Sequence, residues 1–177
     1  MNLDFSAIYD DAVSRILPGL PKELSYHNTD HIMDVLEQSQ RIAHEEGIRN
    51  KEDLLLLKTA ALYHDSGFLH AYSGHEEAGC EIVKKELPAF GMNGKQLEAI
   101  CGMIIATKIP QSPKNKLEEI ICDADLDYLG RPDFFKIADS LFAEMKQRGL
   151  VNNERDWKQI QVRFLKAHHY FPPANKQ

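Results

Sequence analysis

The sequence predicts an all-α fold of about eight helices with no sheet. Three observations predict it. Apolar residues recur at helical spacing along nearly the whole chain, no stretch alternates apolar and polar as a half-buried strand would, and the periodic segments are joined by short connectors rich in Gly, Pro and Asn. With 177 residues, 43% of them hydrophobic, the chain has enough material for one domain with a sizeable core.

The elements follow in order. Phe5, Ile8, Val13 and Ile16-Leu17 predict a first amphipathic helix, stopped by Pro18-Gly19. A second begins near Asn28-Thr29-Asp30, three candidate N-caps, and runs to Gly47. The third spans roughly Lys51 to Asp65 and contains the most apolar run, Leu54 to Leu62; Ser66-Gly67 breaks it. Ser73 or Gly74 caps a fourth, with Glu76 and Glu77 favouring the positive end of its dipole, and it stops before Pro88. Leu97, Ile100, Cys101, Ile104 and Ile105 mark a fifth. The two prolines in Ile109 to Pro113 interrupt it, because each lacks an amide proton and restricts its predecessor. A sixth is expected from Leu117 to Leu129. A seventh runs from Pro132 to Gly149, and an eighth is capped by Asn152 or Asn153. Phe134, Phe135, Phe142, Trp157 and Phe164 read as core or as the face of a homodimer.

Composition excludes some functions. Twenty-one basic against 27 acidic residues leave a net charge of −6, spread along the chain. A nucleic-acid polymer would require a basic face, so it is not an expected partner. A small anionic substrate remains admissible, since a bound metal can supply local positive charge. Cys80, Cys101 and Cys122 lie in apolar helical contexts with no CxxC, and read as reduced thiols of a cytoplasmic protein. The N-terminus lacks the basic and apolar regions of a secretion signal. No apolar run approaches the roughly 20 residues that span a bilayer, so no membrane association is expected.

The chemistry gathers at Tyr63-His64-Asp65, where an apolar helix ends in a histidine and an acid. Buried charge is costly unless paired or bound to metal. Adjacent residues point about 100° apart on a helix, yet at its end both can lean toward one point beyond the tip. Imidazole and carboxylate form a metal-ligand pair; the alternative is a surface His-Asp at a helix C-terminus. In Tyr26-His27-Asn28-Thr29-Asp30-His31, His31 lies near the inward face and is a third candidate ligand. His27, one turn upstream, can face the same cavity without binding metal. Taken alone, either histidine reads first as a satisfied residue at a helix start. In Cys122-Asp123-Ala124-Asp125, the acid Asp125 follows Ile121 by one turn and sits at the edge of the inward face, a fourth candidate. Asp123 is expected to be solvated or to support a ligand from behind; Asp123, Asp125 and Asp127 together can also form a wet face.

These residues resemble the HD-domain metal-dependent phosphohydrolases, whose signature is a His, an adjacent His-Asp and a distant Asp, all on helices. The matching positions are His31, His64-Asp65 and Asp125, and the resemblance spans about Tyr26 to Tyr128. The Tyr-His-Asn-x-x-His-x-x-Asp-Val run is also similar to that of cyclic-nucleotide phosphodiesterases of the same superfamily, where the first histidine donates a proton to the leaving oxygen. The resemblance implies a single HD-type domain over 1–177 with its motifs in about 26–130. It implies hydrolysis of a phosphomonoester or phosphodiester in a small phosphorylated substrate, with a nucleotide the expected class. His31, His64, Asp65 and Asp125 would hold one divalent ion, which lowers the pKa of its water and neutralises phosphoryl charge. Asp65 would hold the nucleophilic water or bridge to a second ion, and His27 would act as the acid. His2Asp2 sets accept Mn, Fe, Co, Ni, Zn or Mg.

Further candidates surround these. His70 and His75 flank the loop after the His-Asp tip; such histidines hold a second metal in some relatives and shape the pocket in others. Lys108 and Arg131 are candidate substrate-phosphate contacts, or solvated cations near helix ends. Several relatives carry a histidine near Thr107-Lys108 and this chain does not, which weakens a bimetallic oxygenase reading. A second functional reading is a non-catalytic metal or nucleotide sensor with the same fold. No Gly-x-Ser-x-Gly occurs, so serine-hydrolase chemistry has no support.

Overall fold

The computed structural model describes residues 3–175, and among them it contains helices and turns but no strand. Eight α-helices are present among the described residues. Helix α1, Phe5–Asp11, is capped by Asp4, whose side chain accepts the Ser6 amide at 2.9 Å, and continues through a π turn into the Pro18 bend. Of the three candidate caps of α2 (Thr29–Glu45), Asn28 serves, accepting the His31 amide at 3.2 Å. Asn50 caps α3 (Lys51–Tyr63), Asn93 and Gln96 form a capping box at α5 (Gly94–Ala106), Asn115 caps α6 (Lys116–Asp125) and Asn153 caps α8 (Glu154–Ala167). Asparagine is used repeatedly because its carbonyl oxygen satisfies first-turn amides that have no partner within the helix.

Helix α3 is central. Leu56, Leu57, Ala60, Ala61, Leu62 and Tyr63 are buried, and α3 packs against α1, α2, α5 and α6. Helix α4 (His75–Glu86) rests on α5 and on the 3-10 turn Ser66–Leu69 that follows the His-Asp tip. That contact is tight. A Cβ on Gly67 would stand 1.8 Å from the His75 carbonyl oxygen and 2.6 Å from the Gly79 amide nitrogen. Gly74, at φ +75, precedes α4 in the left-handed region that glycine tolerates.

Two elements differ from expectation. Helix α3 ends at Tyr63, with His64 as its C-cap and Asp65 already outside. Helix α6 stops at Asp125 and passes into a 3-10 turn at Asp127–Gly130, so it does not reach Leu129. Leu126 leaves helical geometry and the Leu129 amide turns back to the Leu126 carbonyl, three residues behind. Both departures place a site residue at a helix end.

Helices α7 (Phe134–Gln147) and α8 pack together through Ala138, Val151, Trp157 and Phe142, and Phe134 and Leu141 also meet a small cluster of Tyr26, Leu126 and Tyr128. Phe135 points outward, 76% exposed. The chain after α8 straps back across α6. Asp123 is fully buried and both its oxygens accept the Phe171 amide, at 3.0 and 3.1 Å, while the Tyr170 hydroxyl donates to the Leu126 carbonyl at 3.2 Å. Asp127, also buried, pairs with Arg41 at 2.7 Å, and Arg41 reaches Asn175. The expectation of a solvated Asp123 is therefore corrected. The C-terminal strap covers that face, and the carboxylate fastens main chain. No helix among the described residues is long and apolar enough to cross a membrane.

Gly67→Ala is expected to lower stability by at least about 3 kcal/mol, because the methyl group collides with backbone that cannot step aside. Gly94→Ala, where a methyl group meets open space, should be neutral or slightly stabilising. Chemical denaturation of both variants checks the contrast.

Candidate metal centre

Three helix ends converge. His31 stands in the first turn of α2, His64 and Asp65 at the tip of α3, and Asp125 at the last residue of α6. Their ligating atoms face one another. His31 Nε2 lies 3.1 Å from Asp125 Oδ1, 3.6 Å from Asp65 Oδ2 and 3.4 Å from His64 Nε2. His64 Nε2 lies 3.4 Å from Asp65 Oδ2 and 3.7 Å from Asp125 Oδ1. Ligands at about 2.1 Å from one cation stand about 3.0–3.4 Å apart in octahedral or tetrahedral arrangements, so the separations among His31, His64 and Asp65 suit a common ion with small adjustment, while Asp125 meets the two imidazoles and stands outside that close group. His31, His64 and Asp65 are buried. Asp65 Oδ2 is enclosed by protein and has no hydrogen-bond partner. A buried carboxylate oxygen left without a donor among two imidazoles is what a cation would satisfy, so the residues fit a divalent metal.

The supports of these side chains are specific. His64 Nδ1 meets the Ala61 carbonyl at 2.8 Å, which turns Nε2 toward the cluster. The second oxygen of Asp65 looks the other way, with Oδ1 3.6 Å from His75 Nε2. His75 Nδ1 is set by the Tyr72 carbonyl at 3.2 Å, and its Nε2 lies 3.5 Å from Oε1 of the buried Glu76. His75 Nε2 thus stands between a carboxylate oxygen of Asp65 and one of Glu76. Phe68 stacks on His75 at 3.9 Å between ring centres and leans on His27 at 4.5 Å.

His27 sits over the cluster, its ring centre 6.0 Å from those of both His31 and His75. Its Nδ1 is 2.5 Å from Glu144 Oε1, a residue 117 positions away on α7. Glu144 is fully buried; its Oε2 accepts the amides of Tyr26 and His27 at 2.8 and 3.1 Å, and Oε1 also accepts the Tyr72 hydroxyl at 3.0 Å. Sequence reasoning missed Glu144 and took Glu76 only for a dipole partner. A signal for Glu144 exists: it continues the apolar stripe Phe134, Ile137, Leu141, so an acid falls where the helix faces inward.

Electrostatics follow from this crowding. Burial opposes protonation of His64, but the carboxylates of Asp65 and Asp125 outweigh it and push the imidazole up to about 9. Burial alone would raise Asp65, yet His64, His27 and His31 hold its carboxyl well below the usual carboxylate range. Burial likewise works against a charged His27, and Glu144 with Asp65 and Asp125 overcomes it, so the imidazole is raised above its ordinary value. Glu144 is lowered, His27 and the two amides outweighing burial.

Other expected residues lie elsewhere. His70 is exposed at the end of the 3-10 turn and does not join the donor atoms gathered at His31, His64 and Asp65. Lys108 is exposed and pairs with Glu77 across the α4–α5 groove. Arg131 borders a groove beside His31 but its guanidinium is engaged by Asp34 at 2.8 Å, Asp133 at 3.0 Å and Asp127 at 3.4 Å. Neither Lys108 nor Arg131 is an uncommitted cation for phosphate.

Metal loading is expected to release protons, because a cation must displace the proton that His64 holds below about pH 9. Affinity for Mn2+ should therefore rise from pH 6 to pH 8. Calorimetry in buffers of different ionisation enthalpy measures the released protons, and a pH-independent affinity with no release contradicts the assignment.

Comparison with known proteins agrees with this geometry. Residues 28–127 match the HD domain family. A search of curated proteins finds no match. The fold is similar to the crystal structure of a structural-genomics target from Lactobacillus plantarum, with a TM-score of 0.69 and 19% sequence identity, covering 97% of this chain and 86% of that one. At that identity the likeness speaks for the fold alone. His31, His64, Asp65 and Asp125 lie inside the matched segment, whereas His27 and Glu144 lie outside it. With over half of its length matched and a His-His-Asp cluster at the convergence of three helix ends, the chain belongs to the HD domain family.

Proposed function

We propose that the protein is a metal-dependent phosphohydrolase acting on a phosphomonoester or phosphodiester of a small phosphorylated molecule, with a nucleotide the expected class. The observation that carries this reading is the meeting of His31 Nε2, His64 Nε2 and Asp65 Oδ2 within 3.4–3.6 Å of one another, with Asp125 Oδ1 3.1 Å from His31 Nε2 and 3.7 Å from His64 Nε2, and with Asp65 Oδ2 otherwise unpartnered. Family membership supports it. A divalent ion held there supplies Lewis-acid charge against a phosphoryl group, a role that Lys108 and Arg131, already paired, leave open. A second ion would draw on Asp65 Oδ1 and on His75, whose Nε2 lies 3.6 Å from it.

The protein's own groups divide the remaining work. Glu144 takes the Nδ1 side of His27, orients the ring over the cluster and favours its protonated form, so His27 is poised to give a proton to the leaving oxygen. Tyr72 and the Tyr26 and His27 amides complete the Glu144 hydrogen bonds, so the carboxylate is held in one orientation. Phe68, packed on both His27 and His75, excludes water from one side of the centre. A groove of about 360 Å³ beside His31, bordered by Asn28, Asp30, Tyr128, Arg131 and Lys136, is where we place the rest of the substrate.

Asp65→Ala is expected to abolish both metal retention and hydrolysis; full turnover by this variant would remove the scheme. Retention of one nucleotide with no turnover across a panel with Mn, Mg, Ni, Co and Fe would replace the hydrolase by a sensor.

Glu144→Gln tests the acid. Activity should fall as pH rises through the His27 pKa, because only the protonated ring donates. The substitution removes a carboxylate that raises that pKa, so the alkaline loss should move to lower pH. The effect should be about ten-fold or more on an alkyl phosphate and small on p-nitrophenyl phosphate, whose leaving group departs without a proton. Equal losses on both substrates would assign Glu144 a purely structural role.

A further inference from the structure

Outside the metal centre, two cysteines face each other across α4 and α5. Cys80 Sγ lies 3.6 Å from the Cys101 carbonyl oxygen, and Cys101 Sγ lies 3.8 Å from the Cys80 carbonyl oxygen. This reciprocal contact draws the two backbones together at the sulfurs, each thiol facing the carbonyl of the other residue. Both residues border a groove of about 360 Å³ that also includes Lys84, Gly102 and Lys114. Cys80 is 5% exposed and Cys101 8%, so the sulfurs are sheltered yet meet the groove. The third cysteine differs: Cys122 is fully buried and donates to the Ala106 carbonyl at 3.1 Å.

We propose that Cys80 and Cys101 are a reversible dithiol–disulfide pair, oxidised by a hydroperoxide that enters the α4–α5 groove. The two sulfurs have unequal roles. The neighbouring Cys80 thiol, aided by the positive charge of Lys84, outweighs burial and holds the Cys101 thiol below its ordinary value, while the neighbouring Cys101 and burial raise Cys80. Cys101 thiolate attacks the peroxide oxygen, the O–O bond breaks, and the departing hydroxide takes a proton to become water. The Cys80 sulfur then attacks the resulting Cys101 sulfenic acid. An S–S bond forms, the S–O bond breaks, and the oxygen leaves as a second water with the Cys80 proton. Two thiols and one hydrogen peroxide thus yield one disulfide and two waters.

The position gives the link a consequence. Helix α4 carries His75 and Glu76 in its first turn, beside Asp65. Its grip on α5 otherwise rests on packing and on the exposed Glu77–Lys108 pair. A disulfide at Cys80 would tie the helix that bears these groups to the body of the bundle.

The test uses the reduced full-length protein, treated with stoichiometric hydrogen peroxide, alkylated and analysed by intact mass and peptide mapping. The expected result is a loss of two hydrogen atoms within one chain, a linked peptide pair containing Cys80 and Cys101, recovery with dithiothreitol, and Cys122 free for alkylation after denaturation. Cys80→Ser should leave a sulfenic acid on Cys101 that dimedone traps. Both thiols remaining alkylatable after peroxide overturns the proposal, as does a link to Cys122 or between two chains. Because the wild-type map decides the outcome, a poorly folding variant does not leave the question open.

Discussion

Everything at the functional end of this molecule depends on where Asp65 sits. Its carboxylate is buried just beyond the tip of the most apolar helix, with one oxygen enclosed and unpartnered. Such a group is tolerated only among positive charge, and the structure surrounds it with imidazoles: His31 and His64 on one oxygen, His75 on the other. The rest of the architecture can be read as what is required to hold it there. Helix α3 must be apolar on most sides to run through the core, α2 and α6 must end or begin at its tip, and Gly67 must lack a side chain so that α4 can close against the turn.

A second layer fixes His27. The residue stands before α2, in a segment that has no helical hydrogen bonds to hold it. Glu144 supplies them from the far side, binding the Tyr26 and His27 amides with one oxygen and the His27 ring with the other. One buried carboxylate therefore sets the backbone, the ring orientation and the protonation of the residue above the metal centre. It also gives α7 a reason to dock at this edge, where its apolar contacts are confined to small clusters around Tyr26, Tyr128 and Trp157. Removing Glu144 would leave two amides and an imidazole partly buried without their acceptor, which is why its replacement by glutamine is more informative than by alanine.

The acids of α6 illustrate how neighbouring residues of one type take different roles. Asp125 ends the helix and turns to His31, Asp123 fastens the returning C-terminal strap, and Asp127 joins Arg41 and Arg131. The helix stops at Asp125 because Leu126 leaves helical geometry, and this brief interruption aims Asp125 inward while its neighbours face the strap. Helical periodicity placed Asp125 at the edge of the inward face, yet it admitted a solvated Asp123 and a wet face for all three acids, since a covering strap has no local signature.

What the sequence determined by itself is what local chemistry determines. The period of apolar residues made eight helices legible, with candidate caps at Asn28 and Asn153 marking two of their starts, because helix formation and capping are settled within a few residues. The candidates His31, His64-Asp65 and Asp125 could be picked out for the same reason, each at a helix end or inner face whose direction follows from its neighbours, and the structure brings His31, His64 and Asp65 together. Tertiary structure alone decided the partners. Glu144 reaches His27 across 117 positions, Asp65 shares its second oxygen with His75, and Lys108 and Arg131 are taken by carboxylates from other elements. Side-chain charges pair through space, and no spacing rule along the chain records which helix will lie opposite.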